Sequence, residues 1–152
     1  MRAIFWNIHG FGHAGRRTQL KEYMRREDVD IVGLQETIKG DFRFHELLTI
    51  DPLERYEWHH VPATGHSGGL LLGLNRALYE IIAWDVGSFF IAAHFRVRAS
   101  RRELVIIQVY GPADHARSAE FLGELQAKVC SVTGAGLPVL VGGDFNLIRS
   151  RA

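Results

Sequence analysis

Apolar residues in this chain come in short runs, broken by glycine, proline and charged residues, the rhythm of a layered protein rich in strands. Ala3-Ile4-Phe5-Trp6-Asn7-Ile8 reads as a buried first strand that ends in a glycine-rich turn over residues 10–15. Residues 16–27 have helical spacing, with Leu20, Tyr23 and Met24 on one face. Val29-Asp30-Ile31-Val32-Gly33-Leu34 is a second buried strand leading to Gln35-Glu36-Thr37, and a shorter helix is expected over residues 41–48. From residue 56 to residue 110 the pattern turns to strands, expected at 56–61, 68–74, 78–84, 89–98 and 103–110. Phe95, Val97 and Ala99 alternate with Arg96, Arg98 and Ser100, as in a half-exposed antiparallel strand. Arg98-Ala99-Ser100-Arg101 then makes a hairpin tip. Gly111-Pro112 closes the series, and Asp114 is a good N-cap for a helix to about residue 131, with Phe121, Leu122, Leu125 and Val129 as its stripe. Leu137-Pro138-Val139-Leu140-Val141 is the last strand. Strand, helix and strand, then a β-meander, a helix and a strand, predict a mixed α/β layered domain.

Composition narrows this only a little. The 152 residues suffice for one domain with a sizeable core, and 47% hydrophobic with 23% charged residues is globular composition. There is no apolar run long enough to cross a membrane and no signal-peptide pattern. The single cysteine, Cys130, has no disulfide partner in the chain, which fits a reducing compartment, nucleus or cytoplasm, and reads as a small packing residue. The net charge of +1 is uninformative, but Arg16, Arg17, Lys21, Arg25 and Arg26 cluster, as do Arg96, Arg98, Arg101 and Arg102. Such clusters either track a phosphate backbone or form ordinary solvated faces.

The chemistry lies where strands stop. Asn7, Glu36, Tyr110 and the pair Asp144 and Asn146 each follow an apolar strand, and in α/β folds ligands bind beyond the carboxyl ends of strands. Residues two apart on an extended backbone share a side, so Asp144 and Asn146 are expected to face one site. Gly142 and Gly143 give the backbone freedom to turn there. Carboxylates with an amide are hard oxygen donors of the kind Mg²⁺ prefers. Zinc spacing is absent, because the eight histidines are scattered and there is no second cysteine. Singly, each residue has an ordinary reading as a turn former, a surface acid, a half-buried aromatic or an Asx turn. Their joint occurrence at four strand ends is what points to a site.

Trp6-Asn7, Leu34-Gln35-Glu36-Thr37, Ser67-Gly68-Gly69, Val109-Tyr110-Gly111-Pro112 and Gly143-Asp144-Phe145-Asn146 occur in the order seen in the endonuclease/exonuclease/phosphatase superfamily. The chain resembles that superfamily over residues 1–148. Within it, Trp58-His59-His60-Val61-Pro62-Ala63 looks most like the endonuclease domain of plant LINE-type (non-LTR) retrotransposons. The resemblance implies a four-layer sandwich of the deoxyribonuclease I type, with mixed, largely antiparallel sheets flanked by helices. It also implies a Mg²⁺- (or Mn²⁺-) dependent phosphodiesterase acting on DNA, with no membrane partner. Glu36 matches the principal metal ligand and Asn7 the amide near the metal. Asp144 matches the carboxylate that aligns or deprotonates the attacking water, Asn146 a residue orienting groups around it, and Tyr110 a contact to the scissile phosphate.

The superfamily's Ser-Asp-His signature is missing from these residues, and only six residues follow Asn146. His115 follows Asp114, but Ala113 precedes the pair and the position lies before the Asp144 motif, so the resemblance gives it no role. The expectation is therefore a partial domain over residues 1–152 that lacks its C-terminal segment and is inactive as an isolated chain. It would expose apolar surface around Leu140 and Val109, together with unpaired strand edges, and be marginally stable. Two other functions stay open on these residues: a non-catalytic nucleic-acid-binding module using the arginine clusters, and a phosphoinositide phosphatase-like enzyme.

Overall fold

A computed structural model describes residues 1–63 and 68–147 of the chain. Ser67 of the Ser67-Gly68-Gly69 motif and residues 148–152 lie outside the described residues. The elements run β1 (Ala3–Asn7), α1 (Ala14–Glu27), β2 (Ile31–Gln35), α2 (Phe44–Leu47), β3 (Tyr56–Val61), β4 (Leu70–Asn75), β5 (Tyr79–Val86), β6 (Phe90–Val97) and β7 (Glu103–Tyr110). A 3₁₀ turn (His115–Arg117), α3 (Ser118–Gly134) and β8 (Val139–Asp144) complete them.

The strands form two four-stranded sheets, ordered β1-β2-β4-β3 and β5-β6-β7-β8. Each sheet carries one parallel pair joined through a helix, β1 with β2 through α1 and β7 with β8 through α3, and its other pairings are antiparallel. Parallel neighbours need such a crossover, whereas antiparallel ones are joined by short turns. The expected continuous meander from residue 56 to residue 110 is interrupted. Residues 76–78 carry the chain from one sheet to the other, so β3 and β4 belong to the first sheet and β5 to β7 to the second.

Strand periodicity sorts the core into three layers. Between the sheets, Ile31, Leu70, Leu72 and Leu74 meet Ile91, Ala93, Phe95 and Ile106. On the outer face of the first sheet, Leu20 and Met24 of α1 pack with Val32, Leu34 and Leu71. On the outer face of the second, Phe121 and Val132 of α3 cover Ala92, Val105, Ile107 and Val109. β2 is buried on both faces, which is why it reads as an unbroken apolar run. Each fully buried Leu, Ile or Phe contributes roughly 1.5–3 kcal/mol of transfer free energy.

Several details depart from the sequence reading. Tyr23 is 39% exposed beneath Arg26, and Leu122 is 46% exposed, because the stripes are carried by Leu20 with Met24 and by Phe121 with Leu125 and Val129. The helix expected over residues 41–48 is a single turn, α2. The helix from Asp114 begins as the 3₁₀ turn, with the Asp114 carboxylate accepting from the Ala116 N–H. Cys130 is exposed on α3 and is not a packing residue. Val109 is fully buried beneath α3, whereas Leu140 is 38% exposed on β8. Among the described residues β1 and β8 each pair on one side only, and these two edges lie against each other across the sandwich.

Candidate active site

The sequence-predicted residues Asn7, Glu36, Tyr110 and Asp144 converge because of strand parity and sheet placement. Asn7 ends β1 opposite Gln35, and Tyr110 ends β7 opposite Asp144, the last residue of β8. Phe5, two residues before Asn7, lies over Gly142, two residues before Asp144, so both end residues turn to the space between the sheets. Asn7 Nδ2 donates to Glu36 Oε2 at 3.0 Å and to Asp144 Oδ2 at 3.2 Å, the second bond crossing from sheet to sheet. The Tyr110 hydroxyl stands 3.5 Å from Glu36 Oε2, and His9 Nδ1 lies 3.3 Å from that same oxygen.

The loops that present these groups are held tightly. Glu36 has a left-handed backbone (φ 54°), a conformation that costs a non-glycine residue of order 1 kcal/mol or more and recurs at functional sites. Its loop is clamped by Gly68 and Gly69, whose carbonyls accept from the Ile38 and Thr37 N–H groups at 3.1 and 3.2 Å. Arg16 holds the neighbouring loop by donating to the carbonyls of Ile8 and His9. At the other side of the site Gly143 has φ +130° and passes so close to Val109 that a Cβ would lie 2.2 Å from its carbonyl oxygen. A side chain there has no room.

Asn146 lines the same cleft as Asp144, but an extended backbone is not what brings it there. The extended backbone ends at Asp144, and Asn146 is left-handed (φ 49°), so the two-residue spacing does not set its direction. Its N–H donates to Asp144 Oδ1 at 3.1 Å and its Nδ2 to the Gly111 carbonyl at 2.7 Å. Asn146 thus braces the Asp144 carboxylate and ties the loop after β7 to the end of β8.

Asn7, Asp144 and Asn146 line a cleft of about 610 Å³ together with Phe5, Gln35, His115, Phe145 and Leu147, and Glu36 adjoins it through its hydrogen bond from Asn7 and its contact with Tyr110. Burial, then the negative charges of Glu36 and Asp144, push the Tyr110 phenol above its ordinary value, so it remains a hydrogen-bond donor at neutral pH. The two carboxylates share one neutral amide donor, and among the described residues no Lys or Arg pairs with either of them. Mg²⁺, held by one or two carboxylates, an amide and water, suits such a donor set. Glu36 and Asp144, with Asn7 between them, therefore fit a hard cation. No group of three or more His, Cys, Asp or Glu residues able to hold a metal is present among the described residues.

Several residues of the arginine clusters have partners within the chain. Arg25 and Arg26 pair with Glu22 and Glu27, and Arg96 with Glu80 and Glu103. Arg98 donates to the Arg76 carbonyl, and the hairpin tip carrying it lies at the opposite end of β7 from Tyr110. His9 borders the site although no motif marks it, Arg16 of the first arginine cluster holds a loop beside it, and His115, to which the resemblance gives no role, lines its cleft. Only the closeness of His9 to Asn7 in sequence was available as a signal. No helix among the described residues is long and apolar enough to cross a membrane.

A family model described as the Endonuclease/Exonuclease/phosphatase family matches residues 4–151. No curated protein matches the chain. Solved structures with the same fold include a mannosyl-6-phosphatase of Bacteroides thetaiotaomicron (16% identity, TM-score 0.75, 98% of this chain and 66% of that one). The human nocturnin catalytic domain with a bound sulfate anion matches at 20% identity and TM-score 0.74 over 97% of this chain and 65% of that one. D. rerio TDP2 in complex with a single-strand DNA product matches at 19% identity and TM-score 0.70 over 96% and 60%. The chain spans less than two thirds of the length of each of these three structures.

Proposed function

We propose, from the premise that the chain belongs to the endonuclease/exonuclease/phosphatase family, that its strand-end cleft is a divalent-metal-dependent phosphodiester-hydrolysing site directed at DNA. The observation that carries the reading is the Asn7 amide bridging the Glu36 and Asp144 carboxylates from two different sheets. Glu36 and Asn7 would hold the cation, Mg²⁺ or Mn²⁺. When bound, it would offset the negative charge of the phosphodiester and of the oxygen that leaves. Asp144, braced by the Asn146 N–H, accepts a proton from the attacking water. The water oxygen bonds to phosphorus, the bond to one ester oxygen breaks, and that oxygen leaves with its electron pair and takes a proton from solvent, to which Asp144 later releases its own. Tyr110, kept protonated, donates to a non-bridging phosphate oxygen.

DNA as substrate is supported by the complex of D. rerio TDP2 with single-strand DNA and by the resemblance of residues 58–63 to plant retrotransposon endonucleases. We read the domain as of LINE-type retrotransposon origin. None of the eight histidines stands in a Ser-Asp-His triplet, so residues 1–152 alone are expected to bind metal and to be at best a slow nuclease. The test combines Mn²⁺ paramagnetic broadening with plasmid nicking. Mn²⁺ should broaden the amide resonances of Asn7, Glu36 and Asp144, and Glu36→Ala should abolish this. Any nicking should disappear in Glu36→Ala and Asp144→Ala. Nicking equal in all three proteins rules out catalysis by this chain, and broadening centred elsewhere overturns the site.

A further inference from the structure

We propose that His115 is a substrate-contact residue of the cleft, donating an imidazole N–H to a non-bridging oxygen of the bound phosphodiester; this rests on the reading of the cleft given above. Three observations carry it. His115 lines the same cleft as Asn7, Asp144 and Asn146, and among the described residues it is the only lining residue able to carry a positive charge. The cleft otherwise offers a phosphate the Asp144 carboxylate, with Glu36 joined to it through Asn7. An anion entering there needs a positively charged or N–H donor to offset these carboxylates.

His115 is also placed rather than merely nearby. The loop between β7 and α3 is fastened to the end of β8 by two hydrogen bonds. The Gly111 N–H donates to the Asp144 carbonyl at 2.7 Å, and Asn146 Nδ2 donates to the Gly111 carbonyl at 2.7 Å. The 3₁₀ turn that carries His115 is capped by the Asp114 carboxylate, which accepts from Ala116 N–H at 3.0 Å.

Finally, the imidazole is free to act. Among the described residues the His115 side chain has no hydrogen-bond or ion-pair partner, and the residue is exposed. Its neighbours are already engaged: Asp114 caps the turn, and Arg117 pairs with Glu120 while lying over the Phe89 ring. His9, by contrast, faces Glu36. His115 is thus the histidine of the cleft that is uncommitted to either carboxylate.

The test uses the thymidine dinucleotide TpT, which holds one phosphodiester, titrated into the 152-residue chain with Mg²⁺ and followed by NMR. TpT should shift the His115 imidazole resonances together with the amides of Gly143, Asp144 and Asn146. His115→Ala should weaken TpT binding roughly tenfold, the scale of one charge-assisted hydrogen bond. His115→Lys, which restores a cationic donor, should recover most of it. Inorganic phosphate should shift the same imidazole, assigning the contact to phosphate rather than to sugar or base. If TpT shifts the Gly143 and Asp144 amides but His115→Ala binds as well as the parent, this inference is overturned and the cleft remains. If none of these resonances moves, both the inference and the cleft reading fall.

Discussion

Gly142→Ala tests whether the two sheets are held together as the structure requires. Gly142 lies on β8 facing the first sheet, and a Cβ there would stand 2.3 Å from Phe5 Cε2 and 2.6 Å from both Cδ2 and Cζ. Carbon atoms in ordinary contact sit at about 3.5–4.0 Å, so the ring has to retreat by more than about 1 Å. Phe5 is half-buried between the sheets, where its retreat displaces neighbours rather than solvent alone. Overpacking of this kind costs about 1–3 kcal/mol, a substantial part of the roughly 5–15 kcal/mol that holds a domain together. Urea denaturation should show a lower midpoint with an unchanged slope. Phe5→Leu in the same chain should relieve the clash, giving a favourable coupling of about 1 kcal/mol in a double-mutant cycle. Gly143→Ala is the internal contrast: its Cβ would meet the Val109 backbone at φ +130°, where nothing can yield, and a loss of about 3 kcal/mol or more is expected, unrelieved by Phe5→Leu. A neutral Gly142→Ala, or strict additivity with Phe5→Leu, would refute the placement of β8 against β1.

Three further outcomes follow from buried groups. Asp51 is buried and accepts from the Arg55 and Tyr56 N–H groups and from Trp58 Nε1 at 2.8, 3.1 and 3.1 Å, so Asp51→Ala strands three donors and should cost about 2–4 kcal/mol in thermal or urea unfolding, with a change in tryptophan fluorescence. Tyr56 and Tyr79 are pushed up to about 12, chiefly by burial, while an unfolded tyrosine ionises near 10. The unfolded chain therefore loses protons first, stability falls as pH rises from about 10 to 12, and Tyr79→Phe should flatten that slope in pH-resolved denaturation. Burial and His60 hold the His59 imidazole below its ordinary value while it stacks on Trp84 at 4.9 Å, so the unfolded chain binds the extra proton and stability falls as pH drops through about 6.5. His59→Gln should weaken that acid-side dependence, and an unchanged pH profile would contradict the assignment.

What could be read in advance divides along physical lines. The 2.0- and 3.6-residue periodicities are imposed by backbone geometry, so β3 and β7 were legible to the residue, and the buried character of β2 from its unbroken apolar run. Tyr23 and Leu122 were misplaced because a stripe fixes a helix face only to within one position, and packing decides which flanking residue stays in solvent. Asn146 reaches the cleft of Asp144 through a left-handed backbone, a conformation that leaves no periodic mark. The division of the strands between two sheets was not legible either, since the switch at residues 76–78 looks like any other turn.

The site follows the same rule. The residues Asn7, Glu36, Tyr110 and Asp144, their places at the ends of strands and the hard-donor chemistry they share are properties of the sequence. Their meeting belongs to the tertiary structure. Asn7 and Asp144 are 137 positions apart and bond at 3.2 Å because β1 and β8 are the edges of different sheets laid against each other. His115 enters the cleft on a loop whose first residue, Gly111, is tied to Asp144 and Asn146. Local backbone physics sets which residues sit at strand ends, whereas pairing between distant segments, which carries no periodic signal, sets which ends form one cleft.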